Sequence, residues 1–263
     1  SQHTFVFSGP MIHNWNWDLN DNSYRDEESN VFYHANRIHD YITSLGATEM
    51  NFNMPANVNI DDHCNAYYDG DSINFFEMGD GCESTGVISD VIIHEYGHAI
   101  IHGLDPDLLL LGGYWGESGN IHEGLADYWA CTLNNDPEMA EGFFIGDPNG
   151  LRICNSDDRY PEDYSSEPHS GAQIISGAMW DIRVELGKEV VDSLLVSALR
   201  ILPISFQQLV DSLLIVDDDN NNLGDGTPHI IPICSSFYDN HGIFTDNCLG
   251  FTYTPILIIG DEL

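Results

Sequence analysis

The sequence of 263 residues is long enough for one large domain or for two lobes around a cleft, and 42% hydrophobic residues is ordinary for a globular protein. Seven Lys and Arg residues against 43 Asp and Glu residues give a formal net charge of −36. Such a charge repels polyanions, which argues against nucleic acids and anionic membranes as partners. Several reasons for the excess of acidic residues stay open: solubility in salt, cold adaptation, calcium binding or attraction of cationic substrates.

Six cysteines without CxxC spacing favour disulfides over a metal cluster, and therefore an oxidising, extracellular compartment. Buried free thiols are the alternative. No signal segment is recognisable at the start and no apolar run is long enough to span a bilayer, so we expect a mature, secreted chain. Proximity along the chain favours three pairs: Cys64 with Cys82, Cys131 with Cys154, and Cys234 with Cys248.

The first half of the chain is predicted to mix strands and helices. Residues 1–28 are polar and aromatic and predict irregular structure with short strands. Helical spacing of apolar residues predicts a helix over 29–46, and short apolar runs between Asn, Asp and Gly predict strands and turns over 50–76. Residues 86–102 are apolar nearly all round, which predicts a buried helix that ends at Gly103.

The second half is predicted to be helical. A loop rich in Leu and Gly follows Gly103, and the remaining apolar periodicity predicts helices over 119–133, 170–186, 188–201 and 204–215. The apolar tail at 251–263 is expected to be a linker or the start of a further domain.

The motif His94-Glu95-Tyr96-Gly97-His98 lies inside the predicted buried helix. Its two imidazoles are one helical turn apart and can chelate a single ion, with Glu95 beside them. A catalytic zinc needs a third protein ligand, which Glu123 can supply 25 residues after His98. Asp127 lies one turn after Glu123 and is expected to orient a ligand histidine. The alternative is two core histidines and a solvated acidic face.

With these residues in place, the sequence resembles the thermolysin-like zinc peptidases, or gluzincins, and particularly their fungalysin-like branch. The resemblance covers roughly residues 29–242. It rests on five pieces of sequence: Asn30 to His34 with His39-Asp40, Asn65 to Tyr68, the HEYGH motif, Tyr114 with Glu117 to Gly119, and Glu123 to Asp127.

The resemblance implies an α+β, two-lobed thermolysin-like fold with zinc in the cleft. The expected division is an N-terminal α+β lobe over 1–103 that includes the HExxH helix, a helical C-terminal lobe over 104–250, and a tail over 251–263. The implied reaction is hydrolysis of internal peptide bonds without a covalent intermediate.

The resemblance also implies catalytic roles. Glu95 is expected to act as general base and then acid on the water that zinc activates. Tyr114 matches the family's transition-state tyrosine, and His169 matches its active-site histidine by its spacing to Trp180-Asp181; both would stabilise the oxyanion. The alternatives are a loop aromatic for Tyr114 and a surface histidine for His169, whose surroundings depart from thermolysin's own pattern.

Substrate contacts are implied for three residues. Asn65 and Ala66 resemble an edge that hydrogen-bonds the substrate backbone, or else form a structural turn. Arg152 matches an arginine that binds a substrate carbonyl, and it is the first cation after Arg37. A surface ion pair is the alternative for Arg152.

Calcium is a second implied ion. Asp90 lies four residues before His94, where the family has a calcium ligand, and further oxygen donors follow in sequence: Asn134, Asp136, Glu138 and Glu141. The acidic run from Asp217 to Asp225 is another candidate, although it lacks the glycine and glutamate of an EF-hand loop. Solvated acidic loops are the alternative for both.

The sequence therefore predicts a secreted zinc endopeptidase that acts on protein or peptide substrates. An exopeptidase of the same superfamily is one rival. A non-catalytic module that binds zinc or calcium is the other, although it would not need Glu95.

Overall fold

The computed structural model describes residues 25–251, so the predictions for 1–24 and for the tail after residue 251 lie outside the described residues. Within this range, no helix is both long and apolar enough to cross a membrane. The helices of the described part are α1 (Arg25–Ser44), α2 (Ser89–Leu104), α3 (Asp107–Gly112), α4 (Glu117–Asn134), α5 (Pro168–Leu186), α6 (Lys188–Leu199), α7 (Phe206–Asp217) and α8 (Ile230–Cys234).

Short strands form two small sheets. In the first, β3 (Ile73–Phe76) lies between β1 (Ala56–Ile60), which is parallel to it, and β2 (Ala66–Tyr68), which is antiparallel. In the second, β4 (Glu138–Met139) pairs with β5 (Arg152–Ile153) in antiparallel register. The β2 strand therefore lies at the edge of its sheet.

The architecture confirms the predicted α+β class and the main helices. Most predicted helix boundaries lie within about four residues of the observed ones. The sequence missed α3, which lies in the predicted loop, and also α8 and the β4–β5 pair. One continuous apolar core extends from Val31 to Cys248, and the division into lobes at 103/104 stays a prediction.

Helices α2, α4 and α5 form the centre of the molecule. Because α2 is apolar nearly all round, it is buried along most of its length, as predicted. A Cβ on Gly97 would lie 3.0 Å from the Ala126 Cα, so glycine permits the close crossing of α2 and α4. Gly124 has the same function where α4 meets α5, because its Cβ would lie 2.5 Å from the Ala172 carbonyl oxygen.

Two of the three predicted cysteine pairs are disulfides: Cys64 with Cys82, and Cys234 with Cys248. The third pair is close but is not bonded in the structure, where the Sγ atoms of Cys131 and Cys154 lie 2.8 Å apart. Both residues of this pair are buried.

Gly124→Ala should destabilise the protein by about 1–3 kcal/mol, because the new methyl group would overpack the α4–α5 contact. Alanine has the higher helix propensity by about 1 kcal/mol, so propensity alone predicts the opposite sign. Urea unfolding of both proteins measures the difference. Ser193→Ala, at an exposed position of α6, is the control for a change to alanine in a helix. A Gly124→Ala protein as stable as the parent would contradict the packing argument.

Candidate active site

A cleft of about 950 Å³ lies between the β2 edge and the central helices. Its walls come from β2, α2, α3, the loop before α4, the β4–β5 hairpin and the first turn of α5. The predicted residues His94, Glu95, Glu123, Tyr114 and His169 all line it. The structure thus brings residues from four separate segments to one place.

Two imidazoles and a carboxylate converge in this cleft. Ligand atoms of His94, His98 and Glu123 lie within 4.8 Å of one another, and these three side chains could hold a metal ion. We call them the metal group. His94 and His98 lie one turn apart on α2, and Glu123 lies on the facing side of α4. All three side chains are buried.

The chemistry of this group fits a cation. Glu123 Oε2 is buried without a hydrogen-bond partner, yet it lies 3.3 Å from His94 Nε2 and 3.5 Å from His98 Nε2. Burial lowers the pKa of His98 well below its usual value, which favours the neutral imidazole. Burial alone would raise the pKa of Glu123, but the neighbouring histidines hold it well below its usual value. An ionised carboxylate and imidazole lone pairs are the donors that Zn²⁺ takes.

Asp127 fixes the orientation of His94. Its Oδ1 lies 2.7 Å from His94 Nδ1, and Arg152 binds both of its carboxylate oxygens, at 2.6 and 2.7 Å. Burial opposes ionisation of Asp127, but the charges of Arg152 and His94 outweigh it and hold the pKa of the carboxyl far below its usual range. Because an ionised carboxylate only accepts, Nδ1 of His94 carries a proton, and Nε2 is the ring nitrogen that faces Glu123.

Arg152 forms an ion pair, which was the alternative to its predicted contact with the substrate. The pair is not on the surface, because the Asp127 side chain is only 2% exposed. Arg152 lines the cleft while its guanidinium is held by Asp127. Its contact with a substrate carbonyl stays a prediction.

Glu95 is a buried carboxyl beside the metal group. Its Oε2 has no hydrogen-bond partner in the structure, and the side chain lines the cleft. Burial raises its pKa to about 7, with His94 acting in the opposite direction. A pKa near the working pH is the property that a general base needs.

Tyr114 and His169 approach Glu123 from the loop before α4 and from α5. The Tyr114 hydroxyl donates to Glu123 Oε1 at 3.1 Å, and His169 Nε2 lies 3.5 Å from Glu123 Oε2. A Cβ on Gly119 would lie 1.7 Å from the Tyr114 carbonyl oxygen, so glycine lets this loop fold against α4. Both side chains line the cleft and are partly exposed.

Asn65 and Ala66 lie on the opposite wall. Ala66 begins β2, and both residues line the cleft. Because β2 is the edge strand of its sheet, its outer backbone groups are available to an extended peptide. This agrees with the predicted strand addition, which stays a prediction.

The residues of the expected calcium site come from the first turn of α2, the end of α4 and the segment around β4. Asp90 accepts hydrogen bonds from Asn134, Ser89 and the Ala140 amide. Burial raises the pKa of Glu141, and nearby Asp136 and Glu138 add to the rise. The carboxylates are thus close enough to repel one another.

Sequence reasoning missed two residues of the site. Glu167 contacts His169 Nδ1 at 2.9 Å, and it caps α5 by accepting from the Ser170 amide. Pro168 at the first helical position is a sequence signal for the start of α5, but it does not identify Glu167 as the cap. His122 stacks on His98 with ring centroids 4.4 Å apart, and burial lowers its pKa to about 4. Its position next to Glu123 was the only sequence signal for it.

Comparison with solved structures supports the fold. The chain is similar to the precursor of protealysin, a metalloproteinase from Serratia proteamaculans, with a TM-score of 0.63 and 14% identity over 80% of this chain and 76% of that chain. No protein-family model and no curated protein matches the chain. The likeness is one of fold: it supports the thermolysin-like architecture and gives no support to the fungalysin-like branch.

Asp127→Asn should weaken zinc binding about 10- to 100-fold, because the carboxylate that orients a ligand histidine is lost. Competition with a zinc chelator measures the affinity at a temperature where the variant is folded. Asp192→Asn is the matched control, since Asp192 is also a buried carboxylate and accepts from Tyr41 and Tyr128, away from the cleft. Equal loss of affinity in both variants would contradict the orienting role.

Asp105→Asn should stabilise the protein at pH 7.5. Asp105 is 2% exposed, and burial raises its pKa to about 6, above the ~3.9 of an unfolded chain. The folded state then binds the proton more tightly, so this carboxyl costs stability progressively as pH rises between about 4 and 6. We expect the variant's gain in Tm to shrink between pH 7.5 and pH 4.5. Asp61→Asn, at an exposed position, controls for the lost charge. A gain independent of pH would contradict this account.

Proposed function

We propose that this chain is a secreted, zinc-dependent endopeptidase. The observation that carries the proposal is the position of Glu95: a buried carboxyl whose Oε2 has no hydrogen-bond partner lies in the same cleft as the converging ligand atoms of His94, His98 and Glu123. A purely structural metal site has no use for a buried carboxyl with an unpaired oxygen beside it.

The ligand set favours zinc. Two imidazoles and one carboxylate leave one coordination position open, which is the arrangement of catalytic rather than structural zinc. When bound, zinc supplies a Lewis acid for the scissile carbonyl and lowers the pKa of water. The residues that would hold it are His94, His98 and Glu123.

The remaining groups supply proton transfer and oxyanion stabilisation. Glu95 accepts a proton from the attacking water and then delivers it to the departing amine. Tyr114 and His169 both lie next to the Glu123 carboxylate, one at each oxygen, and as hydrogen-bond donors they stabilise the negative charge that develops on the substrate's carbonyl oxygen. Glu167 keeps His169 in place through Nδ1.

Substrate binding follows from the walls of the cleft. The backbone of an extended peptide pairs with the edge of β2 at Asn65 and Ala66, which accepts many sequences. Arg152 approaches a substrate carbonyl while Asp127 holds its guanidinium. This recognition of backbone supports an internal bond of a protein or peptide as the substrate.

The rival functions make different demands. A carboxypeptidase needs a cation for the terminal carboxylate, but Arg152 is the one Lys or Arg that lines the cleft in the described part of the chain, and Asp127 already pairs with it. An aminopeptidase needs carboxylates around the terminal amine. A non-catalytic binding module does not need a buried carboxyl such as Glu95 beside its metal ligands, so the presence of Glu95 favours an enzyme.

Secretion and calcium complete the proposal. The two disulfides support an oxidising compartment. A calcium ion among Asp90, Asn134, Asp136, Glu138 and Glu141 would relieve the repulsion between their carboxylates, since clustered oxygen donors suit this cation.

Glu95→Gln should lower kcat for casein hydrolysis by about 100- to 10,000-fold, because the amide cannot accept the proton of water. The variant should still bind one zinc ion per chain, because Glu95 is not a ligand. Metal analysis and casein hydrolysis are measured on the same preparation. Glu185→Gln, at an exposed position of α5, is the matched control.

Three outcomes would count against the proposal: a wild type without zinc, full activity of Glu95→Gln, or full activity of the wild type after chelation. A peptide with an acetylated N-terminus and an amidated C-terminus separates the rivals. An endopeptidase cleaves it internally, whereas an exopeptidase leaves it intact.

A further inference from the structure

Two cysteines lie behind the metal group, outside the two disulfides already described. Cys131 is on α4, one helical turn after Asp127, and Cys154 directly follows β5, two residues after Arg152. Their Sγ atoms lie 2.8 Å apart, and each residue is 1% exposed. The other four cysteines are paired with each other, so these two have no other partner within the chain.

The contact between the two sulfurs is too short for separate thiols. Even carbon atoms, which are smaller, rest against each other at about 3.5 Å. A disulfide brings its sulfurs to about 2.05 Å, so bonding needs a movement of less than about 1 Å. Among the described residues, neither cysteine belongs to a group that could hold a metal.

We propose that Cys131 and Cys154 form a third disulfide, which holds β5 against α4 and thereby positions Arg152 on Asp127. The two thiols lose two protons and two electrons to the disulfide of a low-molecular-weight or protein oxidant, which is reduced to two thiols. The other two disulfides imply that the chain meets such an oxidant.

This disulfide is a permanent link rather than a switch. The adjacent Cys154 sulfur and burial raise the pKa of the Cys131 thiol well above its usual value, so the folded chain offers no reactive thiolate there. Because each cysteine is 1% exposed, a bond between them lies out of reach of reductants in the folded chain. The disulfide joins β5 to α4 at Cys131. The Arg152–Asp127 ion pair joins the same two elements one helical turn earlier in α4.

The positioning role rests on the proposed function, whereas the bond itself does not. Thiol titration of unreduced protein in denaturant tests the bond. We expect no free thiol among the six cysteines, and a cross-linked peptide that contains Cys131 and Cys154 after proteolysis. Two titratable thiols at these positions would overturn the disulfide, whether or not the protein is a peptidase.

The double variant Cys131→Ser/Cys154→Ser tests the positioning role. We expect kcat/KM and zinc affinity to fall about tenfold at a temperature well below its Tm, the size of loss seen when outer-sphere partners of a metal site are disturbed. Cys234→Ser/Cys248→Ser removes a disulfide that does not line the cleft, and should leave kcat/KM within about twofold. Equal effects of the two double variants would overturn the positioning role.

A double-mutant cycle separates positioning from general stability. If the disulfide acts through Arg152, then Arg152→Gln should cost clearly less activity in the Cys131→Ser/Cys154→Ser background than in the wild type. Additive losses would overturn the link to Arg152. If the double variant does not fold, the thiol titration still decides whether the bond exists.

Discussion

Helices α2 and α4 must approach each other closely before His94, His98 and Glu123 can share one point in space. Gly97, inside the HExxH motif, makes this approach possible, because a side chain there would press on the backbone at Ala126. At the crossing, a buried carboxylate faces imidazole nitrogens at 3.3 and 3.5 Å. Oxygen and nitrogen lone pairs repel at such distances unless a proton or a metal ion lies between them, and the proposed chemistry of the cleft follows from this requirement.

The residues around the metal group carry little positive charge of their own, so a bound metal ion would be the main cation in the cleft. The sequence has no Lys or Arg between Arg37 and Arg152, although this stretch supplies most of the cleft. The charge of Arg152 is largely neutralised by Asp127, with which it forms a two-pronged ion pair. Of the predicted groups, only Tyr114 and His169 are then left to stabilise an oxyanion. The net charge of −36 works against such an anion unless a metal ion offsets it locally.

The sequence predicted the metal group and Asp127 better than the residues that pack around them. Helical spacing alone places His94 and His98 on one face, and the same rule places Asp127 one turn after Glu123, so these four are set by local geometry. That α2 and α4 cross at Gly97 is a tertiary contact, which spacing within one helix does not predict. Glu167 and His122 were missed because their roles depend on contacts made by the neighbouring His169 and His98, which no spacing in the sequence reveals.

At the level of the fold, the sequence failed mainly to predict the short helices and strands. The run at Leu108 to Leu111 lies between Pro106 and a pair of glycines, which favours a loop, yet the chain forms α3 there because Leu108 packs into the core. The strands β4 and β5 have two residues each, too few for any periodicity to show. Long amphipathic or apolar helices, by contrast, were predicted to within a turn, since burial of one face determines them.

The central claim is that one zinc ion binds between α2 and α4. Anomalous diffraction at the zinc absorption edge, on crystals of the zinc-loaded protein, tests it most directly. The account predicts one strong peak about 2.0–2.2 Å from Nε2 of His94, Nε2 of His98 and a carboxylate oxygen of Glu123. A peak only at the acidic residues around Asp90, or no peak in the cleft at full zinc loading, would contradict it.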